Sequence, residues 1–449
     1  MHRLAADFLA PAVRTAQGWI DGARLRIDGE IFAEVGTGGP GDLLPGPVVP
    51  AIPNLHSHAF QRAIAGATEV LSPSGGDFWR WRQAMYGSLG VLTPDDVRAI
   101  ATQLYVELAK AGYSRVCEFH YLHNGVDGRP YASPAAMADA LIEAAAIAGI
   151  GLTLVPVLYT SSGFGGRAPE PAQRRFIQTV DQYASSIEAL RGRVDLGIGF
   201  HSLRAVTAEQ MHAVLAIDAT LPVHIHIAEQ VKEVDDCLAW SGARPIEWLA
   251  REVELDARWC LVHATHMTEA EVATVAASGA TVAICPTTEA NLGDGFFATE
   301  GYFAAGGRWG IGSDSHVSVD AGEELRLLEY GRRLRLRRRA LSASEAVPNV
   351  GAWLWLQAAG AAAPTGVATG RIEAGQRADF IVLDGEDPQL AGRSGDALLD
   401  SLVFVNAGAA PIHEVWIGGR RVVADGHHAH EEAAARDYAN TLARMRDAV

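Results

Sequence analysis

Eight short apolar runs, separated by segments of helical character, limit the folds open to this 449-residue chain. They lie at residues 48–52, 115–119, 152–158, 196–200, 223–227, 259–262, 281–285 and 309–312. Short, continuously apolar runs are typical of strands that are buried on both faces of a parallel sheet. Eight β–α units predict an α/β chain with a closed (β/α)8 barrel of the TIM type. A doubly wound open sheet is the alternative, but it has no reason to stop at eight.

Capping residues predict where several of the intervening helices begin. Thr93-Pro-Asp-Asp and Ser133-Pro-Ala-Ala place a hydroxyl directly before a proline that suits the first turn. Thr207-Ala-Glu-Gln and Thr268-Glu-Ala-Glu have the spacing of a capping box. We expect a helix to start after each of these four residues.

The two ends of the chain differ in character from its middle. Residues 17–36 alternate apolar and polar side chains around glycine-containing turns, which is typical of short antiparallel strands. The segment 370–424 repeats this pattern, and its Gly-Gly pair at 418 is a good hairpin signal. We therefore predict a smaller β-sandwich-like domain formed by both termini, with the barrel inserted between its two parts. The predicted domains are residues 1–47 with 366–449, and residues 48–365.

Composition argues against two classes of partner. The net charge of −16 and the pI near 5.4 disfavour a nucleic-acid binder, which would usually be basic. No run of 18 apolar residues indicates a membrane span, and the first residues lack the apolar core of a signal peptide. The four scattered cysteines are expected to be reduced, buried thiols. We therefore expect a cytoplasmic protein with no nucleic-acid or membrane partner.

Polar side chains with ligand or proton-transfer chemistry follow most of the predicted strands. In a TIM-type barrel the active site lies on the loops at the carboxyl ends of the strands. In chain order the side chains are His56, His58, Gln61, Tyr121, His201, Arg204, His226, Glu229, His263 and Asp314. We predict that this face of the barrel carries the active site.

Three His-x-His pairs have to be distinguished. They are His56-Ser57-His58, His224-Ile225-His226 and His428-Ala429-His430. The last pair lies in a polar C-terminal stretch and is expected to be a solvated tail. In the second pair, His224 is expected to pack, whereas His226 lies nearer the end of its strand. The first pair has the strongest context, because both imidazoles lie on one side of an extended segment that closes an apolar run.

A metal site accounts for several of these residues together. His56, His58 and His226, with Asp314, would supply three nitrogen ligands and one oxygen ligand. That set suits Zn²⁺, with Fe²⁺ as second choice, and leaves room for a water molecule. Any one histidine at such a position is as often structural as it is a ligand. Taken jointly, the four residues favour a site for one divalent metal.

These motifs resemble the amidohydrolase superfamily, in its mononuclear-metal deaminase branch, and the resemblance covers the whole chain. The motifs that carry it are Pro53-Asn-Leu-His-Ser-His58, His226-Ile-Ala-Glu229, His263-Ala-Thr-His266, Cys285-Pro-Thr and Gly312-Ser-Asp314. The dinuclear branch bridges two metals with a carbamylated lysine at a strand end. Here Lys110 lies in a helical pattern and Lys232 follows the fifth-strand loop, so one metal is implied. The other zinc deaminase type uses His-x-Glu with Pro-Cys-x-x-Cys, which this chain lacks.

A second set of motifs is similar to the enzymes of this branch that deiminate N-formimino-L-glutamate. The segments that carry this similarity are 56–62, 78–82, 118–123, 201–204 and 287–294. It implies that water attacks the formimino carbon and that ammonia leaves. Thr288-Glu289 stands where many purine and pyrimidine deaminases of the branch have Ser-Asn, which argues against those substrates.

The resemblance also implies roles for individual residues. Asp314 would ligate the metal and accept a proton, His263 would orient or deprotonate the water, and Glu229 would carry the proton to the substrate nitrogen. Arginines would bind the two substrate carboxylates, because a planar guanidinium suits bidentate contacts. The implied substrate-binding residues are Arg82 and Arg204, with Gln61, Tyr121 and His201 as hydrogen-bond partners. The implied partners are a small-molecule dicarboxylate and a second copy of the chain in a homodimer.

Several features receive less weight, and three rival functions stay open. The histidines expected to be structural or to orient other ligands are His120, His123, His266 and His316. The arginine-rich run 332–339 is expected to be a solvated helix face or a subunit contact. Whether the loop 71–76 moves over the substrate is left open. The rivals are a purine, pyrimidine or triazine deaminase, a dinuclear amidase or lactonase, and a catalytically silent barrel that serves as a binding subunit.

Overall fold

The computed structural model describes residues 5–69, 85–87, 89–405 and 408–448. Its larger unit is a barrel of eight parallel strands with helices on the outside, which confirms the predicted (β/α)8 fold. In chain order the strands are Ile52–Ser57, Tyr113–His120, Gly151–Leu158, Asp195–Leu196 with Ile198–Phe200, Val223–Ile227, Trp259–His263, Thr281–Ile284 and Arg308–Ile311. Each strand pairs in parallel with the next one along the chain.

The first and last strands of the barrel meet through a short bridge. Ser57 and Asp314 form this parallel bridge, which we call the seam. The Asp314 N–H donates to the His56 carbonyl at 3.0 Å, and the His58 N–H donates to the Asp314 carbonyl at 3.2 Å. Gly312 permits this close approach, because a Cβ there would lie 2.7 Å from the Cβ of His56. The residues that build the seam therefore include three of the predicted metal ligands.

Helices connect the barrel strands and cover their outer faces. The α-helices are Pro94–Lys110, Ala136–Ala148, Val180–Leu190, Ala208–Leu215, Val231–Ser241, Pro245–Glu252, Glu269–Ser278, Pro286–Leu292, Thr299–Ala304, Ala321–Leu336, Val350–Gly360, Ala397–Phe404 and Glu431–Ala448. Short 3-10 helices span Ala59–Ile64, Pro171–Gln173 and Ala363–Thr365. Among the described helices, none combines the length and the apolar character needed to cross a membrane.

Three of the four predicted helix starts are confirmed. Thr93, Thr207 and Thr268 each accept a hydrogen bond from the main-chain N–H three residues later, and each forms a complete capping box. The fourth helix begins at Ala136 rather than directly after Ser133. The Ser133 hydroxyl accepts the N–H of Ala135, and the Ser133 carbonyl accepts the N–H of Ala136. These two bonds close a turn that precedes the helix.

The second unit is one mixed sheet built from both ends of the chain, which confirms the predicted β-rich unit. Its strands are Ala5–Thr15, Gly18–Asp28, Ile31–Thr37, Asp42–Leu43, Val48–Pro50, Phe380–Leu383, Ile412–Ile417, Arg420–Ala424 and His427–His428. A separate apolar core, which includes Phe8, Phe32 and Phe380, lies against this sheet. The exact domain boundaries given above stay a prediction.

The run 48–52, predicted as the first barrel strand, is divided between the two sheets. Val48–Pro50 pairs with Phe380–Leu383 in the terminal sheet, and the first barrel strand begins only at Ile52. Both segments are apolar and buried, so the sequence pattern alone does not separate them. As a result, His56 lies within the first barrel strand and His58 directly after it.

The prediction of a solvated tail at residues 428–430 is wrong for His428, whereas Ala429 and His430 are exposed as predicted. His427–His428 forms a strand that pairs with the end of Arg420–Ala424. His428 is buried, and its Nε2 donates to the carbonyl of Ala148 at 3.0 Å. The helix that follows is tied to the barrel, since the Tyr438 hydroxyl donates to the Arg62 carbonyl at 2.9 Å. Burial here depends on a partner 280 residues away in the chain, which no local pattern reveals.

The arginine-rich run is only partly solvated, so the expectation of a solvated face is wrong for its first residues. Arg332 is buried and donates to the hydroxyl of Ser342. Arg333 donates to Glu329 at 2.7 Å, and the carboxylate of Glu329 is itself buried. Internal ion pairs therefore occupy these two guanidinium groups, while residues 337–339 are exposed.

Candidate metal centre and active site

Four predicted ligands come together at the carboxyl end of the barrel. The Nε2 atoms of His56, His58 and His226 lie 2.9–3.3 Å from one another. Oδ1 of Asp314 lies 3.4 Å from Nε2 of His56 and 3.3 Å from Nε2 of His58. All four side chains are buried, and their ligand atoms lie within 4.8 Å of one another. We call these four residues the ligand cluster.

For His58 and His226, hydrogen bonds to the main chain determine which ring nitrogen faces the ligand cluster. Nδ1 of His58 lies 2.9 Å from the carbonyl oxygen of Phe119, and Nδ1 of His226 lies 2.9 Å from that of His201. A carbonyl oxygen only accepts, so each Nδ1 carries the proton and each Nε2 presents a lone pair. Lone pairs this close repel one another unless a cation lies between them.

The spacing of the ligand cluster fits a tetrahedral metal ion. Bonds of roughly 2.0–2.1 Å from zinc to nitrogen or oxygen place the corners of a tetrahedron about 3.3 Å apart. The distances from Nε2 of His56 to its three neighbours are 2.9, 3.1 and 3.4 Å. Burial lowers the pKa of His56, His58 and His226, so the imidazoles stay neutral and able to ligate. This donor set is chemically suited to Zn²⁺ or Fe²⁺.

The main chain around the ligand cluster is strained. Eight non-glycine residues in the described parts of the chain have left-handed φ angles, and five of them lie at the ends of the fifth, sixth and eighth strands. These are Ala228, His263, Ala264, Asp314 and His316, with φ between +47° and +67°. Such conformations cost about 1–3 kcal/mol each and persist only where packing holds them. The barrel therefore holds these side chains at a cost in stability, as is typical of a functional site.

His263 lies beside the ligand cluster, between two carboxylates. Its Nδ1 is 3.2 Å from Oε1 of Glu289, and its Nε2 is 3.9 Å from Oε1 of Glu229 and 3.7 Å from Oδ2 of Asp314. Burial lowers the pKa of His263, but the charge of Glu229 and the hydrogen bond to Glu289 outweigh burial and raise the pKa to about 10. Burial raises the pKa of Glu229, and the charge of His263 opposes that rise. His263 and Glu229 thus form an acid–base pair beside the ligand cluster.

Glu289 is a functional candidate that the sequence reasoning missed. Its Oε1 accepts the N–H of Cys285 at 2.8 Å as well as a hydrogen bond from His263. The main chain therefore fixes the carboxylate that orients the imidazole. In the sequence, Thr288-Glu289 served only to argue against other substrates. The available signal was a carboxylate in the first turn of a helix that follows a barrel strand.

A pocket opens beside the ligand cluster. Its lining includes His58, Gln61, Tyr121, Tyr159, Phe176, His201, Arg204, His226, Glu229, His263 and Asp314. The lining thus contains all of the predicted metal, catalytic and substrate-binding residues except two. His56 lies behind the lining at the ligand cluster, and Arg82 lies outside the described residues, as does the loop 71–76.

Neighbouring side chains hold the predicted substrate-binding residues. The Gln61 amide donates to the Tyr121 hydroxyl at 3.0 Å. The His201 ring packs on Tyr159, with ring centres 4.6 Å apart. Arg204 is paired with Glu233, a carboxylate that the sequence reasoning also missed.

A buried hydrogen-bond network supports both sides of the seam. Glu118 accepts the N–H of Ala59 at 2.7 Å and the hydroxyl of Ser57. The same hydroxyl lies 3.1 Å from Nε2 of His316, whose Nδ1 lies 3.0 Å from the hydroxyl of Ser313. Burial raises the pKa of Glu118 to about 7, although these hydrogen bonds oppose the rise. The network therefore holds residues on either side of two predicted ligands, His58 and Asp314.

Three other histidines have structural contacts. Nε2 of His224 donates to the carbonyl of Pro364 at 2.9 Å, and Nε2 of His123 donates to that of Val157 at 2.9 Å. The ring of His120 packs edge-on against that of His123. These contacts agree with the structural roles expected for His224 and for the pair near residue 120.

Comparison with known proteins places the chain among hydrolases. The sequence model described as the amidohydrolase family matches residues 47–422. A formimidoylglutamate deiminase of Pseudomonas aeruginosa is 49% identical over 442 residues, which cover 96% of this chain and 97% of that protein. A 5-methylthioadenosine/S-adenosylhomocysteine deaminase of Natronomonas pharaonis is 29% identical over 384 residues, or 84% of this chain and 81% of that protein.

Solved structures share the fold over nearly the whole chain. The crystal structure of an amidohydrolase from Brucella melitensis has a TM-score of 0.92 and 42% identity, covering 99% of this chain and 100% of that chain. An adenosine deaminase from Xanthomonas campestris, solved with bound zinc, has a TM-score of 0.79 and covers 98% of both chains. At 20% identity, the second likeness shows the fold alone.

Proposed function

The chain belongs to the amidohydrolase family, and on that premise we propose that it hydrolyses N-formimidoyl-L-glutamate to N-formyl-L-glutamate and ammonia. The observation that carries this proposal is the 49% identity, over 96% of the chain, to a formimidoylglutamate deiminase. The acid–base pair beside a three-histidine, one-carboxylate cluster supports it, because a C–N bond is hydrolysed by an activated water and a proton donor. The enzyme is therefore a hydrolase of a non-peptide C–N bond.

We propose that the ligand cluster holds one divalent metal, with Zn²⁺ as first choice and Fe²⁺ as second. Three inward-facing imidazole nitrogens and one carboxylate oxygen at tetrahedral spacing support this assignment. Lys110 and Lys232 do not stand where a bridging lysine is needed: Lys110 ends an outer helix and Lys232 pairs with Asp236. When bound, such a metal supplies a water molecule that ionises near neutral pH.

The protein side chains would move protons around this water. Asp314, whose Oδ2 faces Nε2 of His263 at 3.7 Å, would accept the proton that the water loses. His263, held by Glu289, would orient the water toward the formimino carbon. Glu229 would carry a proton to the terminal nitrogen of the substrate. As the C–N bond breaks, that nitrogen leaves as ammonia with both protons of the attacking water, and the carbon becomes the formyl group.

The same proposal assigns the substrate-binding residues. Arg204 would bind one carboxylate of the substrate, and Arg82, which lies outside the described residues, would bind the other. The hydrogen-bond partners of the ligand would be Gln61, Tyr121 and His201, all of which line the pocket.

The cellular setting is proposed on the resemblance alone. A deiminase with this substrate would act in histidine degradation, in the cytoplasm, as a homodimer. Sedimentation analysis of the purified protein would check the oligomeric state, with a single species of twice the 47.7 kDa chain mass as the expected result.

The decisive experiment measures ammonia release from a set of substrates. We expect the metal-loaded protein to act on N-formimidoyl-L-glutamate, with guanine, cytosine and 5-methylthioadenosine as controls that release little ammonia. Glu229→Gln should keep its metal and lose most turnover, roughly 10²- to 10⁴-fold. Preference for one of the control substrates would support a rival deaminase. Metal-free protein without hydrolysis of any substrate would support the silent binding subunit.

A further inference from the structure

We propose that Glu233 is a positioning residue that fixes Arg204 and Glu229 relative to each other. The residue that binds a substrate carboxylate and the residue that transfers a proton would then be held in fixed positions relative to each other. This inference rests on the function proposed above, which places Arg204 on a substrate carboxylate and Glu229 on the substrate nitrogen. It assigns a role to another carboxylate of the pocket, one that contacts both of these residues.

A single oxygen of Glu233 makes both contacts. Glu233 lies in the first turn of the helix Val231–Ser241, lines the pocket and is 3% exposed. Its Oε2 lies 2.9 Å from Nη1 of Arg204 and accepts the main-chain N–H of Glu229 at 3.2 Å. The guanidinium follows the fourth barrel strand, and the N–H follows the fifth. One oxygen therefore joins the ends of two neighbouring strands.

Arg204 needs such a partner to bind a carboxylate in one orientation. Its side chain is 26% exposed, and a free guanidinium on a long stem would sample many rotamers. A guanidinium has five N–H donors, so a contact through Nη1 leaves other donors for a ligand. Glu233 thus holds one edge of Arg204 and directs the remaining donors toward the pocket.

The contact with Glu229 acts on the proton-transfer side of the pocket. Ala228, the preceding residue, has a left-handed φ of +51°, so the segment that carries Glu229 is strained. The hydrogen bond to Oε2 of Glu233 helps to hold this segment. Glu229 faces His263 at 3.9 Å, and small displacements of reacting groups strongly reduce turnover. Loss of Glu233 should therefore lower kcat as well as raise KM.

Only one oxygen of Glu233 contacts Arg204 and Glu229, and this allows a selective test by substitution. Oε1 is buried and has no hydrogen-bond partner among the described residues. A glutamine can place its carbonyl oxygen where Oε2 lies, so Glu233→Gln keeps the acceptor for Arg204 and for Glu229. Glu233→Ala removes that acceptor. Asp235→Ala, on the same helix but exposed, is the matched control for loss of a carboxylate.

The experiment compares these variants with Arg204→Ala and with the double variant Glu233→Ala/Arg204→Ala. KM and kcat for N-formimidoyl-L-glutamate, binding of the product N-formyl-L-glutamate by calorimetry, and metal content are measured for each. We expect Glu233→Ala to raise KM and the product Kd about tenfold and to lower kcat about tenfold, with metal retained. Glu233→Gln should recover most of kcat, and Asp235→Ala should match the wild type.

The double variant decides whether Glu233 acts through Arg204. We expect its product Kd to equal that of Arg204→Ala, because Glu233 then has no guanidinium to direct. Independent, multiplying effects on Kd would overturn the proposal, and so would wild-type KM and kcat in Glu233→Ala. If the wild type releases no ammonia from this substrate, the proposed function fails. The calorimetric comparison still tests the link between Glu233 and Arg204.

Discussion

The end of the first barrel strand and the C-terminal hairpin formed by Arg420–Ala424 and His427–His428 both carry a His-x-His pair with a buried histidine, yet the two regions use it differently. The Nδ1–H of His58 donates a hydrogen bond to a carbonyl, and Nε2 of His58 faces the ligand cluster. In His428 it is the Nε2–H that donates a hydrogen bond, to the carbonyl of Ala148. His226 and His224, two residues apart on the fifth strand, repeat this contrast. All four histidines are buried, so burial does not separate a candidate ligand from a structural histidine. The difference is the ring nitrogen that donates to the main chain, which is Nδ1 in the candidate ligands and Nε2 in the structural histidines.

The largest expected effect tests this contrast within one strand. His226→Ala should lose metal and reduce turnover by roughly 10³-fold or more, because it removes one of the four proposed ligands. His224→Ala removes an equally buried imidazole, but one whose Nε2 is already bonded to Pro364, so metal content should be unchanged. Metal analysis and ammonia release check both. Equal metal loss in the two variants would break the comparison.

A smaller effect is expected at His263, whose Nδ1 is held by a carboxylate instead of a carbonyl. Glu289→Ala should lower kcat by roughly 10- to 100-fold while metal is retained, because His263 loses the partner that orients it. Glu289→Gln, which keeps an acceptor for His263 and for the Cys285 N–H, should lie between this variant and the wild type. A Glu289→Ala enzyme with normal kcat would remove Glu289 from this role.

At the C-terminal hairpin we expect a change in stability alone. His428→Ala leaves the buried carbonyl of Ala148 without its donor and should lower the free energy of unfolding by about 1–3 kcal/mol. Urea denaturation checks this value, and the unchanged properties should be kcat and metal content. Loss of metal in this variant would show that the two regions are coupled.

The smallest expected effect is a pH dependence at Glu431, which begins the helix after the same hairpin. Hydrogen bonds from Lys110 and His427 lower the pKa of Glu431 to about 2, from an ordinary value of 4.5. The stabilisation is therefore complete above about pH 5 and is lost as the pH falls toward 2. Because Glu431 is solvent-accessible, the effect should be small. The difference in Tm between the wild type and Glu431→Gln should shrink from pH 6 to pH 3; a constant difference would contradict this.

The sequence was sufficient for the barrel and for the residues of the ligand cluster, because both depend on local pattern. Apolar runs mark strands, and His226 and Asp314 stand where such runs end. The first strand was misplaced, since Val48–Pro50 and the segment from Ile52 are equally apolar and buried in different sheets. The partners of Glu233, Glu289 and His428 come from other strands or helices, so only the packed chain reveals what these side chains do.

The seam also bears on how the chain is made. Ser57 and Asp314, which form it, are separated by most of the barrel, and the entropy lost in joining them grows with the logarithm of that separation. A nascent chain carries His56, His58 and His226 long before Asp314 leaves the ribosome. Translation would thus deliver an incomplete set of ligands until the eighth strand docks. An ion can then be held by all four residues only after the seam has closed.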